Sequence, residues 1–256
     1  MIRSEPRGHV GLLTIDRQDR RNALNGELCD ELRTALAKLP TELRAVVITG
    51  AGSAFCAGAD LVTRFAPSKK RGAPTDTFRP AFERVLDAIV DHPVPVIAAI
   101  NGPAIGAGMQ LAVACDLRVA ALGARLAIPG GRLGIHLSPR NVWRLAQLVG
   151  QGAARDFLLA GRTVTAEEAL QLGLVQRLTD DALSAALDLA GEIASYAPLT
   201  VQGHKRSLNL VGESQWLSET AAAEVSELEA GAFASEDLQE GMAAFAEKRS
   251  PDFRGR

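Results

Sequence analysis

Two segments of the chain share one pattern: an apolar run, a turn of small residues and then a helix-like stretch. They are VVITGAGSAFCAGADL at 46–61 and VIAAINGPAIGAGMQLAVACD at 96–116. Glycine and alanine let a ligand approach the main chain closely, and N–H groups at the start of a helix favour negative charge. The pattern therefore indicates a ligand that meets backbone amides. Close packing of a helix on a sheet would explain the small residues equally well.

Known phosphate-binding and nucleophile patterns do not fit these segments. A P-loop requires a lysine after its glycines, and neither segment has one. A dinucleotide fingerprint fails because Leu111 stands where the third glycine belongs after Gly106 and Gly108. The nucleophile elbow GxSxG is also absent. The remaining interpretation is one N–H donor from each segment, converging on a single oxygen as an oxyanion hole.

Strand-like and helix-like segments alternate in the first half of the chain, and helices dominate the second half. Strands are predicted at 9–16, 45–50, 94–100, 117–122 and 124–129. Helices are predicted at 25–40, with Asn25 as N-cap, and at 81–93, 139–150, 152–160, 165–172, 182–196 and 198–210, with a last block at 214–248. Residues 62–80 are predicted to form a mobile loop. The order predicts an α/β body with a helical C-terminal extension.

The composition argues against several classes of partner. Charged residues make up 23% and the net charge is −2, so no nucleic-acid or membrane-surface partner is expected. No apolar run approaches the roughly 20 residues of a membrane span, and no signal peptide is recognisable. The three cysteines lack CxxC spacing and the four histidines are scattered. We therefore expect reduced thiols, a cytoplasmic location and no metal.

Four motifs together resemble the enoyl-CoA hydratase/isomerase family, the crotonase superfamily. They are RNALN at 21–25, ITGAGSAFCAGADL at 48–61, AAINGPAIGAGMQLAVACDLRVA at 98–120 and EGMAAFAEKR at 240–249. The similarity covers about residues 9 to 254 in the family's order. It implies a crotonase-like α/β spiral of ββα units at 1–195. It also implies a helical C-terminal region at 196–256 that covers the site and builds a homotrimer, often doubled to a hexamer.

The resemblance also implies a site for an acyl-CoA thioester. The N–H groups of Ala59 and Ala107 would form the oxyanion hole that stabilises an enolate. The positions that match contacts to coenzyme A or the acyl group are Arg20, Arg21, Ala23, Leu24, Ala57, Asp60, Leu61, Gly106, Leu133, Phe245 and Lys248. Coenzyme A would be part of the ligand, with no separate cofactor. We interpret the side chains of Asp60 and Asp116 as structural hydrogen-bonding groups.

Both glutamates that hydratases of this family use are missing. One family glutamate lies three residues after the second oxyanion donor, where this chain has Gln110. The other follows the proline of a PE pair, which places Gly130 at that position. An amide cannot take up a proton near neutral pH, and glycine has no side chain. Gly130 is also expected to widen the site by one side chain.

Other side chains could supply the missing proton transfer. His136 is the best titratable candidate, because the unperturbed pKa of histidine is close to physiological pH, although a role in the pocket wall stays open. Arg140 and Asn141 could bind a polar acyl group or serve only the start of a helix. Acids in or beyond the variable loop remain open as well: Asp76, Glu83 and Asp87.

Two functions follow from this pattern. The first is an acyl-CoA-binding protein of lipid metabolism that has lost conventional hydratase chemistry and acts as a carrier, sensor or partner. The second is an active hydratase, isomerase or other enolate-forming enzyme that uses His136 or a loop acid. A structural protein that binds no coenzyme A is disfavoured, because the motifs for its contacts persist.

Overall fold

The computed structural model describes residues 1–61, 77–213 and 233–254, together with positions 223, 227, 230 and 231. Most of the predicted loop at 62–80, including Asp76, lies outside the described residues. In the described part of the chain, no helix is both long enough and apolar enough to cross a bilayer.

Nine strands of the described residues form two sheets. They are Ile2–Arg7 (β1), Val10–Ile15 (β2), Ala45–Gly50 (β3), Val96–Ile100 (β4), Ala104–Ile105 (β5), Leu117–Ala121 (β6), Arg125–Ala127 (β7), Thr163–Thr165 (β8) and Arg177–Thr179 (β9). The larger sheet has the order β1-β2-β3-β4-β6-β9, and the smaller sheet has the order β5-β7-β8. In the larger sheet only the pair β1 and β2 is antiparallel.

Eight helices surround these sheets in the described ranges. They are Gly26–Ala37 (α1), Phe78–Val90 (α2), Ala107–Ala114 (α3), Pro139–Leu159 (α4), Ala166–Gln171 (α5), Ala182–Ala194 (α6), Pro198–Glu213 (α7) and Glu236–Glu247 (α8). Asn25 caps α1 as predicted, because its side chain accepts a hydrogen bond from the N–H of Leu28 at 2.9 Å. The mixed α/β architecture confirms the predicted fold class.

The parallel strands of the larger sheet are buried on both faces. Along β3, Val46 and Ile48 belong to the core formed with α1, α2 and α3. The alternate residues Ala45 and Val47 pack on the opposite face, against α6. Side chains of a strand alternate between its two faces, so a strand covered on both sides reads as a continuous apolar run. This explains why the sequence AVVITG predicted β3 with its observed ends.

The structure corrects several predicted elements. The sequence analysis missed β1, β5, β8 and β9, and the last two interrupt a region that was predicted to be almost wholly helical. Helix α2 begins at Phe78 inside the predicted loop, since Pro80 is tolerated in the first helical turn, where its N–H would have no partner anyway. Two helices predicted at 139–150 and 152–160 form the single helix α4, which is kinked at Gly150 (φ 78°, ψ 162°).

A buried lysine attaches α7 to the body of the protein. The ammonium group of Lys205 donates hydrogen bonds to Asp116 Oδ2 at 2.7 Å and to the carbonyls of Ile89 and Val94 at 3.2 Å each. Asp116 Oδ2 also accepts a hydrogen bond from the N–H of Val96 at 2.7 Å. Asp116 therefore has the structural role that was predicted. The division of the chain at residue 195 stays a prediction.

Candidate functional site

The turns that follow β3 and β4 lie side by side at the carboxyl ends of these two neighbouring strands. The N–H of Ile105 donates to the carbonyl of Cys56 at 3.0 Å, and the N–H of Cys56 donates to the carbonyl of Pro103 at 3.1 Å. A Cβ atom on Gly108 would lie 2.2 Å from the carbonyl oxygen of Cys56, so α3 could not approach this turn with a larger residue. Small residues therefore serve close packing here.

A third segment, at 21–24, is hydrogen-bonded to the turn that follows β3. The N–H of Leu24 donates to the carbonyl of Gly58 at 2.8 Å, and the N–H of Asp60 donates to the carbonyl of Leu24 at 2.7 Å. These bonds form a parallel bridge between Leu24 and Ala59. The bridge uses the backbone groups on both sides of Ala59, but it does not use the N–H of Ala59 itself.

The N–H groups of Ala59 and Ala107 have no hydrogen-bond acceptor among the described residues. Ala107 is the first residue of α3, and the first N–H groups of a helix have no partner within it. The two turns are in contact here, because a Cβ on Gly58 would lie 3.7 Å from the nitrogen of Ala107. Gly58 also has a φ of 107°, which a residue with a side chain rarely adopts. Ala59 and Ala107, whose N–H groups have no acceptor in the described part of the chain, thus line the same cavity.

The cavity has a volume of about 120 Å³ and is bounded by both turns, by α2 and by the segment 128–138. It brings together many of the predicted site residues. They are Ala57, Ala59, Leu61, Gly106, Ala107, Gln110, Gly130, Leu133 and His136. Residues that are far apart in the sequence thus share one space.

The remaining predicted residues do not line this cavity. Arg20 and Arg21 are exposed on the neighbouring segment. Ala23 and Leu24 are buried, with 9% and 0% of their surface exposed, so that only their backbone could meet a ligand. The carboxylate of Asp60 is buried and forms an ion pair with Arg17 at 2.8 Å. This ion pair agrees with the structural role interpreted for the Asp60 side chain, and a contact of Asp60 with substrate stays a prediction.

Two predicted residues from the C-terminal helix also lie away from the cavity. Phe245 is 54% exposed, and Lys248 is the exposed left-handed cap of α8, with a φ of 55°. Within one chain neither residue touches the cavity walls. Their predicted contact with coenzyme A across a subunit boundary stays a prediction.

Gln110 and Gly130 differ in the space that surrounds them. The side chain of Gln110 lines the cavity and has no hydrogen-bond partner among the described residues. In contrast, a Cβ on Gly130 would lie 2.5 Å from the carbonyl oxygen of Ile135. The N–H of Ile135 also donates to the carbonyl of Gly130 at 2.9 Å, which holds the loop closed. The prediction that Gly130 widens the site is therefore wrong, because the main chain at Ile135 fills that space.

His136 lies on a wall between this cavity and a second one of about 760 Å³. Its Nδ1 atom is buried and has no hydrogen-bond partner in the structure. A catalytic imidazole is normally oriented by a partner on its other nitrogen, which also fixes its tautomer. His136 has no such partner at Nδ1 among the described residues.

Glu83 is the carboxylate that the structure brings to the cavity. It lies on α2, and its Oε1 accepts a hydrogen bond from Asn141 Nδ2 at 2.8 Å. Asn141 Oδ1 accepts a hydrogen bond from Arg144 Nη1 at 3.0 Å, and Arg144 Nη2 is 2.6 Å from Asp87 Oδ1. Burial is the main cause that raises the pKa of Glu83, and a hydrogen bond from Ser138 opposes it. The side-chain amide of Asn141 thus orients the carboxylate of Glu83.

The sequence analysis treated Glu83 only as one acid among three near the loop. A helical spacing was visible, because Phe78 and Phe82 are four residues apart and stack with their ring centroids at 5.1 Å. This spacing places Arg79 and Glu83 together on an adjoining stripe of the helix, and all four residues line the cavity. Arg140 lies 3.7 Å from Asp87, so it belongs to the same charged group rather than to the cavity wall.

Thiol and metal chemistry have no support at this site. Cys56 lies beneath the turn, where the N–H of Gly58 contacts its Sγ at 3.4 Å. Burial raises the pKa of the Cys56 thiol to about 12, so the thiol is neutral and a poor nucleophile. In the part of the chain that the structure describes, no group of three or more histidine, cysteine and acidic residues could hold a metal ion.

Comparison with known proteins identifies the family of the chain. The family model described as enoyl-CoA hydratase/isomerase matches residues 5–256. The chain is 42% identical over 252 residues to the probable enoyl-CoA hydratase echA6 of Mycobacterium leprae, covering 96% of each chain. It is 38% identical over 252 residues to the 2,3-dehydroadipyl-CoA hydratase of Escherichia coli, again covering 96% of each.

A solved structure shows the same architecture. The crystal structure of an enoyl-CoA hydratase/isomerase from Pseudoalteromonas atlantica superposes with a TM-score of 0.86 at 34% identity and covers 99% of both chains. The mixed α/β fold and the extent of the sequence match place the chain in one class. The protein belongs to the enoyl-CoA hydratase/isomerase family, the crotonase superfamily.

Proposed function

We propose that this protein binds acyl-CoA, as a fatty acyl or enoyl thioester of lipid metabolism, and that it has weak or no conventional hydratase activity. The N–H groups of Ala59 and Ala107 hold the thioester oxygen between them. The observation that carries this proposal is that both residues line one cavity and that their N–H groups have no acceptor among the described residues. Two preorganised donors favour an oxygen on which negative charge develops.

The two family positions that supply the acid and the base for hydration carry neither group in this chain. Hydration of an enoyl thioester requires a carboxylate that deprotonates water and a second group that delivers a proton to Cα. At the two positions where the family's hydratases carry glutamates, this chain has Gln110 and Gly130. The Gln110 amide is able to hold a water or a carbonyl by hydrogen bonds, but it cannot accept the proton.

The rest of the ligand is assigned by the family resemblance. Arg20 and Arg21 are exposed beside the bridged segment and would contact the coenzyme A moiety. Phe245 and Lys248 would complete the site from a neighbouring subunit of a cytoplasmic homotrimer or a hexamer. No cofactor other than the coenzyme A of the ligand is required.

The second function is an active hydratase or isomerase with a substitute acid or base such as His136. This alternative is supported by the position of His136 on the wall of the same cavity. Turnover of a 2-enoyl-CoA that is lost in His136→Ala, with binding unchanged, would favour this alternative.

A variant that removes one backbone donor tests the proposal directly. Ala107 is the first residue of α3, where proline is tolerated and removes only an N–H without a helical partner. Calorimetric titration with saturated acyl-CoAs of several chain lengths measures binding, and the loss of enoyl absorbance measures hydration. We expect Ala107→Pro to bind the thioester at least about five-fold more weakly, which corresponds to roughly 1 kcal/mol for a lost hydrogen bond.

The matched control is Ala107→Gly, which keeps the N–H and should bind as the wild type does. Free coenzyme A, which has no thioester oxygen, should bind equally to all three proteins. Equal thioester affinity of Ala107→Pro and Ala107→Gly would refute the two-amide site. The absence of binding for every acyl-CoA would refute the proposed function as a whole, and fast hydration would refute the loss of that activity.

A further inference from the structure

We propose that Glu83 is the base that removes a proton from the α-carbon of the bound acyl thioester, so that the site enolises its ligand without hydrating it. This inference rests on the proposed function, because the thioester oxygen must be held by Ala59 and Ala107. It adds a catalytic residue on α2, which is a different element from those that carry the two glutamate positions of the family.

The position of Glu83 is the first argument. Among the described residues that line the cavity, Glu83 has the only carboxylate. It shares this small space with both N–H donors and with the side chain of Gln110. A base and an oxyanion hole that face the same cavity are the two groups that enolisation of a thioester needs.

The orientation of Glu83 is the second argument. Asn141 is 4% exposed and donates to Glu83 Oε1, while its own carbonyl oxygen accepts from Arg144. Arg144 is 9% exposed and paired with Asp87, so the whole chain of contacts is anchored between α2 and α4. A base that is oriented by a third group is a signature of a catalytic arrangement.

Burial and the neighbouring charges act in opposite directions on the pKa of Glu83, and the net effect is a rise. Burial disfavours the ionised form and raises the pKa, and the negative charge of Asp87 acts in the same direction. The charges of Arg144 and Arg79 and the hydroxyl of Ser138 act in the opposite direction. A carboxylate with a raised pKa is a stronger base than an exposed one, which suits proton abstraction from carbon.

The chemical step is balanced without a further reactant. The ionised carboxylate of Glu83 takes a proton from Cα, and the electron pair of the broken C–H bond forms the double bond between Cα and the thioester carbon. The carbonyl electron pair moves to the thioester oxygen, whose negative charge is stabilised by the N–H groups of Ala59 and Ala107. Glu83 exchanges its proton with solvent and returns one to Cα, which restores the thioester.

This reaction is measured as exchange of hydrogen for deuterium. Butyryl-CoA is incubated with the full-length protein in heavy water, and incorporation of deuterium at Cα is followed by NMR and mass spectrometry. We expect exchange to be faster than in buffer and to rise with pH as one group ionises, with an apparent pKa above the ordinary value of glutamate. We expect Glu83→Gln to lower the exchange rate at least ~100-fold, in line with the loss of a general base.

A binding measurement and two further variants control for indirect effects. Glutamine has the shape of a protonated glutamate, so Glu83→Gln should fold and should bind butyryl-CoA with wild-type affinity in a calorimetric titration. Glu83→Asp keeps a carboxylate with a shorter reach and should retain part of the exchange. Glu42→Gln makes the same chemical change at an exposed position and should leave the exchange rate unchanged.

The outcomes separate this inference from the proposed function. Binding of butyryl-CoA without exchange above buffer refutes the role of Glu83 and leaves the proposed function intact. No binding refutes the proposed function itself. Exchange that survives in Glu83→Gln but disappears in His136→Gln assigns the base to His136 and overturns the inference. A wild-type exchange rate that does not change between pH 5 and 8 also overturns it, even if Glu83→Gln fails to fold.

Discussion

The closed loop at Gly130 lets us predict how much a single added methyl group at this position lowers the stability of the folded protein. In Gly130→Ala the new Cβ would lie 2.5 Å from the carbonyl oxygen of Ile135 and 3.4 Å from Leu137 Cδ1. The first contact is with main chain, so it cannot be relieved by a side-chain rotation. The loop must move instead, and forced overpacking of this kind typically costs about 1–3 kcal/mol.

The adjacent glycine provides a matched control. A Cβ on Gly131 would have Leu158 O as its nearest neighbour at 3.9 Å, which is an ordinary contact. Replacing glycine by alanine also restricts the unfolded chain, which stabilises the folded state by about 0.4–1 kcal/mol where the backbone accepts it. This contribution is common to both variants. The difference between them therefore isolates the clash with Ile135.

The assay is thermal unfolding of both variants at one protein concentration. For a chain of this size, 1 kcal/mol shifts the midpoint by roughly 2–4 °C. We expect Gly130→Ala to melt about 2–12 °C below Gly131→Ala, and Gly131→Ala to melt at or slightly above the wild type. Equal midpoints for the two variants would refute the argument that Ile135 fills the side-chain space of Gly130.

The same contact limits attempts to restore hydration. Gln110 already projects into the cavity, so Gln110→Glu places a carboxylate there without a steric cost. Gly130→Glu must first displace the main chain at Ile135. The double variant would recover hydration only if the loop opened, so we expect it to show no hydratase activity. Gln110→Glu alone should bind acyl-CoA as the wild type does.

Three further predictions concern the charged and buried groups. Lys205→Met should lower the free energy of unfolding, measured in urea, by about 3–5 kcal/mol, because it leaves Asp116 without its buried cation. Arg206→Met, at the exposed neighbouring position, should change the free energy of unfolding little. Burial raises the pKa of all three cysteine thiols to about 12, so a disulfide reagent at pH 8 should label none before unfolding and three afterwards; rapid labelling of the native protein would contradict this burial. The pKa of Glu83 is raised, so the folded state binds the Glu83 proton more tightly than the unfolded state does. The protonated carboxyl therefore stabilises the folded state fully at a pH below the pKa of the unfolded chain, and this stabilisation is lost as the pH rises through the pKa of the folded state. Glu83→Gln should therefore gain thermal stability relative to the wild type between pH 4 and 8, and a constant difference in midpoint would contradict the shift.

Elements with local signals were predictable from the sequence. The cap at Asn25 and the buried strand β3 depend on neighbouring residues and on burial of both faces, and both appear as predicted. The short strands β8 and β9 were missed because three residues show no period. Strand β9 exists through its pairing with β6, in which Val119 lies opposite Arg177.

The two small-residue turns that border the cavity were predictable from the sequence, whereas contacts between distant side chains were not. The glycine- and alanine-rich turns identified Ala59 and Ala107 through the family resemblance. The contact of Glu83 with Asn141 joins residues 58 positions apart, and no sequence pattern in either helix predicts it. The closure of the loop on Gly130 likewise depends on a backbone conformation that leaves no periodic trace in the sequence.

The use of peptide N–H groups in the bridged turns has an evolutionary consequence. Apart from proline, every residue type supplies the same N–H, so point mutations at Ala59 or Ala107 seldom delete a donor. Acid and base groups on side chains, in contrast, are lost by a single codon change. Thioester binding and catalytic activity can therefore evolve separately in such a scaffold. A lineage can change the reaction by replacing side chains while the backbone groups continue to bind the thioester.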